Sequence, residues 1–343
     1  MARPDLWLLD RFSQSWENTA IRNEISRRGY QAEIVDWAEL TPLGGDTGML
    51  RGGSPAEPPR LAIVKSRVFT RCPSGDLALI YDGLEAIADA GTRVLNSPQA
   101  IRRSRNKLRQ AEVLARAGLP VPPTRGVRTE AEIDKCMADW GEIVLKPVWG
   151  HASVDVTRMR PHGRLAEPGT LLGIREEIVA WHLLERYHLL CAQAFIENPG
   201  RDLRVTVIGS VIASCIYHVS TAPDGSVRHF LYPLRVEQAP LTPEIVGIAH
   251  TAVEALELDF AIIDMVESPA GPVIIEVNQG LSVWRDLENT GYDLTPGGYT
   301  SLVTDQLEEI LASMTASSSG PAPNRTGSAV GSPVSSATRA SSA

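Results

Sequence analysis

Short apolar runs alternate with amphipathic stretches through the first hundred residues. Leu6-Trp7-Leu8-Leu9 precedes a helical pattern over residues 17–28 that stops at Gly29, and Ala32-Glu33-Ile34-Val35 follows. Residues 42–59 are rich in Gly and Pro and read as a loop; Leu61-Ala62-Ile63-Val64 then leads to a helix over residues 76–90 closed by Gly91. Strands separated by helices predict a parallel sheet. Asn96-Ser97-Pro98 starts a helix expected to run to Ala117, and Gly118 with Pro120-Val121-Pro122-Pro123 marks a domain junction. A helix over residues 130–139, a strand over 142–147 and a helix ending near Arg186 predict a small α+β lobe. From Leu189 the chain is strand-dense (189–196, 202–208, 211–218), with Gly209-Ser210 spaced for an antiparallel hairpin. A helix over 243–256, strands over 260–266 and 273–277, and a helix over 299–312 follow.

The pattern therefore divides into an N-terminal parallel α/β domain (residues 1–97), linker helices with a central α+β lobe (98–188), and a C-terminal antiparallel-sheet lobe (189–315). Residues 316–343 are Ser, Ala, Gly and Pro with hardly any core formers, and are expected to be a disordered tail.

Composition narrows the function. The net charge of −8 argues against a nucleic-acid groove, whose affinity comes from cations neutralising phosphates. No apolar stretch approaches the roughly 20 residues that span a bilayer. Four scattered cysteines (Cys72, Cys136, Cys191, Cys215), without C-x-x-C or zinc spacing, fit buried or free thiols and a cytoplasmic location. One basic segment, residues 101–109, packs five cations into nine residues; it reads as a solvated helix face or as an anion site.

Chemistry concentrates on two apolar strands. Phe260-Ala261-Ile262-Ile263-Asp264-Met265-Val266 and Val273-Ile274-Ile275-Glu276-Val277-Asn278 carry acids and an amide where a buried sheet would have none, and such groups need partners. Glu276 and Asn278 are two apart and share a strand face, and Asp264 can meet them from the next strand. An oxygen-only set of this kind favours magnesium, with manganese as the alternative, together with nucleotide phosphates. Lys146, ending an apolar strand, must send its ammonium to an anion or to solvent, and Lys107 lies in the basic segment.

The order Asn96-Ser97-Pro98, Asn106-Lys107-Leu108, Gly118 to Thr124, Leu145-Lys146-Pro147, Phe195-Ile196-Glu197, Asp202-Leu203-Arg204, Ile263-Asp264-Met265, Glu276-Val277-Asn278 and Thr290 to Asp293 resembles the ATP-grasp superfamily. Within it the chain is most similar to the RimK-like glutamate ligases and their relatives in lysine biosynthesis and pterin-cofactor glutamylation. The resemblance implies an ATP-grasp fold behind a pre-ATP-grasp domain, and an ATP-dependent carboxylate-amine ligase working through an acyl phosphate. It also implies roles. Lys107 and Lys146 would hold ATP phosphates, backbone at Ala194, Phe195 and Ile196 the adenine edge, and Asp202 the nucleotide. Arg204 would meet the acyl phosphate or the γ-phosphate and Arg228 the substrate; Asp264, Glu276 and Asn278 would ligate Mg2+, with Glu276 also serving the nucleotide. The partners implied are a small-molecule carboxylate and an amine, glutamate by default; a homo-oligomer stays open.

The chain departs from this pattern in places. The lid after Lys146 has one glycine, Gly150, where the family has several, and carries His151 and Asp155. Tyr217-His218 and Arg228-His229-Phe230 replace the usual Arg elements, which implies a different substrate. Arg67 and Arg285 are further candidates for a substrate carboxylate. A nucleotide-binding sensor or partner protein, and a kinase on the same fold, are the competing readings.

Overall fold

In the computed structural model the described residues are 3–11, 15–42, 49–69, 74–150, 153–161, 174–221, 234–281 and 298–318. The first domain runs β1 (Leu6–Asp10), α1 (Trp16–Arg27), β2 (Ala32–Asp36), β3 (Leu40–Pro42), β4 (Met49–Arg51), β5 (Ser54–Ala56), β6 (Leu61–Val64), α2 (Ser74–Asp89) and β7 (Arg93–Leu95). Four of its strands form the expected parallel sheet, in the order β2-β1-β6-β7. β1 and β6 are wholly buried, as central parallel strands covered on both faces must be, which is why they read as unbroken apolar runs. The Gly/Pro-rich stretch is not simply a loop: β3, β4 and β5 make a small antiparallel sheet, and such short strands carry too few residues to show a period of two.

The single helix expected over 98–117 is two, α3 (Pro98–Arg105) and α4 (Lys107–Arg116). Asn106 takes an extended conformation, ends the first and caps the second, its side chain accepting from the Arg109 amide at 3.0 Å. Beyond the junction come β8 (Thr124–Val127), α5 (Glu130–Trp140), β9 (Ile143–Pro147), β10 (Thr157–Met159), α6 (Ile174–Tyr187) and β11 (Leu190–Ala194). β11 pairs with β8 and β9 in the antiparallel order β10-β9-β11-β8. The central sheet therefore extends past the expected boundary at residue 188, because β11 finds its hydrogen-bond partners there and not in the strand-dense region that follows. It also ends at Ala194, short of Ile196.

The last lobe is β12 (Arg201–Ile208), β13 (Val211–Ser220), β14 (Leu234–Gln238), α7 (Pro243–Leu256), β15 (Phe260–Ser268), β16 (Gly271–Gln279) and α8 (Tyr299–Ser318). Its strands form an antiparallel sheet, β14-β13-β12-β15-β16. The β12–β13 hairpin turns on Gly209, at φ +57° and so close to α8 that a Cβ would stand 2.2 Å from Gln306 Oε1. One sheet face buries Leu203, Val205, Ile263, Met265 and Val277 against α7. At the other face Ile208 and Phe260 join a core shared with Leu6, Leu8 and Ile63 of the first domain and Val303 and Leu307 of α8. α8 runs to Ser318, past the expected end at 312 and into the expected tail; residues 319–343 lie outside the described residues. Cys136, Cys191 and Cys215 are buried free thiols, and among the described residues no helix is long and apolar enough to cross a membrane.

Candidate functional site

Three strands place the acidic cluster. Arg204 on β12 stands opposite Asp264 on β15, which stands opposite Glu276 on β16, so the three side chains lie in one row across the sheet. A β-bulge shapes the row. Asp264 pairs with Glu276 while Met265 pairs with Ile274, which leaves Ile275 as the extra residue. The alternation is thereby reset: Ile274 and Val277 are core, whereas Ile275, Glu276 and Asn278 stay on the accessible side.

The sheet edge is held from outside. β16 is an edge strand, and the Gln110 side chain on α4 serves it as a neighbouring strand would: Gln110 Oε1 accepts from the Val277 amide at 2.9 Å and Nε2 donates to the Val277 carbonyl at 2.6 Å. The Ile274 amide donates to Pro120 at 2.8 Å. These three bonds bracket Glu276 and fix its strand against α4, where Lys107 begins the helix.

Lys107 Nζ donates to Glu276 Oε1 at 2.6 Å and reaches the Gly150 carbonyl at 3.4 Å; its own amide donates to Val148. Lys146 on β9 stands opposite Cys191 on β11 and donates to Gln193 Oε1 at 2.6 Å. Together Lys107, Gln110, Lys146, Cys191, Gln193 and Ile275 line a cavity between the central sheet and β16. The structure thus brings Lys107 and Lys146 together with the row that holds Asp264 and Glu276, beside β11.

Electrostatics favour an ionised Glu276. Burial alone would raise the Glu276 pKa, but Lys107, Lys146 and Arg105 overcome it and hold the group at about 2. Burial pushes Lys146 down from the ordinary lysine range against the pull of Glu276 and Asp264. Asp264 is shared: Arg204 Nε donates to Oδ1 at 2.7 Å and Nη2 to Oδ2 at 3.3 Å, and Asn278 Nδ2 meets Oδ2 at 3.2 Å. Asp264 opposite Glu276, with Asn278 bonded to Asp264, makes a hard-oxygen set that fits a dication finished by a ligand's own oxygens. Among the described residues, no three His, Cys, Asp or Glu form a cluster that would hold a metal alone.

Other expected residues fare differently. Asp202 is buried on the Arg204 face of β12, opposite His218. The amides of Ala194 and Phe195 already donate to Pro123 and Glu142, so an adenine edge there would meet carbonyls or the Ile196 amide. Arg67 is not a surface side chain: it grips Asp10 and Ser15 at the carboxyl ends of β1 and β6. Arg228, Arg285 and His151 lie outside the described residues. Sequence reasoning missed Gln110 and Gln193, amides indistinguishable from solvent-facing ones, and also Arg105. Arg105 belongs to the basic segment but turns inward, its guanidinium 4.4 Å from the Phe69 ring centre and close enough to lower Glu276.

Comparison with known proteins agrees with this architecture. The model of the RimK-like ATP-grasp domain matches residues 104–295, more than half of the chain. A tetrahydromethanopterin:alpha-L-glutamate ligase of Methanosarcina acetivorans is 36% identical over 193 residues, 54% of this chain and 57% of that one. A ribosomal protein bS6–L-glutamate ligase of Salmonella paratyphi B is 30% identical over 207 residues, 60% of this chain and 65% of its own length. The matches thus span less than two thirds of these relatives. A RimK domain protein ATP-grasp structure from Sphaerobacter thermophilus shares the fold at a TM-score of 0.61 and 20% identity, over 88% of this chain and 99% of that one. With the paired lysines, the acid row and the lobe order all inside the matched segment, the chain belongs to the RimK-like ATP-grasp family.

Proposed function

We propose that the chain is an ATP-dependent ligase that joins a carboxylate to an amine. The observation that carries this reading is the row Arg204, Asp264, Glu276 closed by Lys107 at one end, with Asn278 beside it and Lys146 across the cleft. The names of its relatives, an alpha-L-glutamate ligase and an L-glutamate ligase, support glutamate as the amine.

Mg2+, held by Asp264, Glu276 and the Asn278 amide oxygen, would supply charge neutralisation for the triphosphate. Manganese fits the same oxygens. Lys146 and Lys107 hold phosphate oxygens from opposite sides of the cleft, and the β11 exit at Ala194 to Ile196 takes the adenine edge. An oxygen of the substrate carboxylate attacks the γ-phosphorus, giving an acyl phosphate and ADP. The amine then attacks the acyl carbon; phosphate leaves with the C–O electron pair, and the nitrogen loses a proton. Arg204, anchored on Asp264, faces the negative charge that develops in both steps. Asp202 on the same face contacts the nucleotide, and Arg228 binds substrate.

The test is incubation with Mg-ATP, glutamate and pools of carboxylic acids. ADP formation that requires an acid, with a hydroxamate when hydroxylamine replaces the amine, is the expected result. Nucleotide binding without acid-dependent ADP would point to a sensor, and a stable phosphorylated alcohol to a kinase; either outcome sinks the ligase reading.

A further inference from the structure

Glu17, Lys65 and Tyr299 form a buried polar knot where the first domain meets the strand that carries Glu276 and Asn278. Glu17 opens α1, Lys65 directly follows β6 and Tyr299 opens α8. The Lys65 and Glu17 side chains are 1% and 2% exposed, and Lys65 Nζ lies 2.8 Å from Glu17 Oε1. The Tyr299 hydroxyl donates to the same Oε1 at 3.2 Å.

Stability is a weak explanation for this pair. Removing two charges from water costs several kcal/mol per ion, and well-packed apolar residues of similar volume are often at least as stable. The third contact offers a better one. Lys65 Nζ donates at 2.6 Å to the carbonyl of Leu281, three residues beyond Asn278 and two beyond the end of β16. Gly280, between them, has φ +143° and packs so tightly that a Cβ would lie 3.3 Å from the Ser66 Cβ. Both residues that leave β16 are thus seated on the segment that leaves β6. One is held by packing and the other by a charged hydrogen bond.

We propose that Lys65 is a positioning residue: held by Glu17 and Tyr299, it fixes the Gly280–Leu281 turn and thereby the place of Asn278 beside Asp264. The proposal rests on reading Asp264, Glu276 and Asn278 as a dication and nucleotide site. It assigns the first domain a direct part in setting that site, since a side chain that aligns a metal ligand shifts metal affinity by about 10- to 100-fold when lost.

The combined substitution Glu17→Leu, Lys65→Met and Tyr299→Phe removes the knot together with the donor to the Leu281 carbonyl. Binding of a fluorescent ADP analogue, titrated with Mn2+ and reversed with EDTA, reads the metal requirement separately from turnover. The expected result is a folded variant whose unfolding midpoint falls by no more than the loss of the bond to the Leu281 carbonyl, with the Mn2+ concentration for half-maximal nucleotide binding raised about tenfold. A folded variant with the wild-type Mn2+ requirement overturns the proposal. Gly280→Ala leaves the ion pair intact and pushes the same turn off Ser66; if the triple variant does not fold, this second one decides, and an unchanged Mn2+ requirement there overturns it equally. Wild-type protein that binds the analogue with no metal dependence would instead overturn the site reading on which the proposal rests.

Discussion

Glu276 keeps its charge to about pH 2 against the penalty of burial, because Lys107, Lys146 and Arg105 surround it. A carboxyl whose folded pKa lies below its ordinary 4.5 contributes stability above that pH, and the contribution fades as pH falls toward 2. Glu276→Gln should therefore show a constant loss of thermal stability relative to wild type from pH 7 to about 5, closing between about 4.5 and 2. A gap that closes already near pH 6, followed by calorimetry, would contradict this. Lys146 has the opposite sign: burial disfavours its charge, so Lys146→Met should leave the unfolding midpoint unchanged or raised. Nucleotide affinity, measured by titration calorimetry, should fall by about tenfold or more, the worth of one hydrogen bond to a charged group. Among single residues, legibility followed chemical surprise. An acid on an apolar strand announces itself, as Asp264 and Glu276 did. Gln110, on the amphipathic helix α4, did not, and its partner at Val277 is 167 residues away. Arg105 was hidden among like charges.

Among the elements, β16 depends most on what lies outside its own sheet. Gln110→Ala would leave the Val277 amide and carbonyl without the bonds that now satisfy them, at a cost of about 1–3 kcal/mol. Denaturant unfolding should register that loss, and amide exchange should quicken at Val277 before it does in β15. Equal exchange in both strands would show that Gln110 does not hold the edge. Unbroken apolar runs, the helical period of α7 and the hairpin turn were readable in advance, with β1, β6, α7, β15 and the β12–β13 hairpin near their expected places. The misses have physical causes. An N-cap at Asn106 looks like an ordinary polar helix position, and three-residue strands show no period. The sheet that β11 joins is decided by long-range pairing, which local pattern does not encode.

Across the whole molecule, the first domain and the last lobe share one core, and Asn96 adds to it by bonding the Phe260 amide and carbonyl and the Asp259 amide. A chain beginning at Pro98 would expose Ile208, Phe260, Val303 and Leu307 together. It should run as aggregate on size exclusion, whereas the full chain should lose its first domain and last lobe in a single calorimetric transition. The central lobe stands apart, with its own core from Ile133, Met137, Ile143, Leu145 and Leu190. Its chain enters through residues 121–123, just past the anchored Pro120, and leaves through residues 195–200, ending at Gly200 with φ +77°. Two of the three masses are welded through one core, and the third joins them by these two connections and by α4, whose Lys107 bonds Val148 and Gly150. Spin labels on α5 and α7 should therefore report a distance that changes when nucleotide enters, while labels on α1 and α7 should not. The cleft should then open and close by the rocking of one wall.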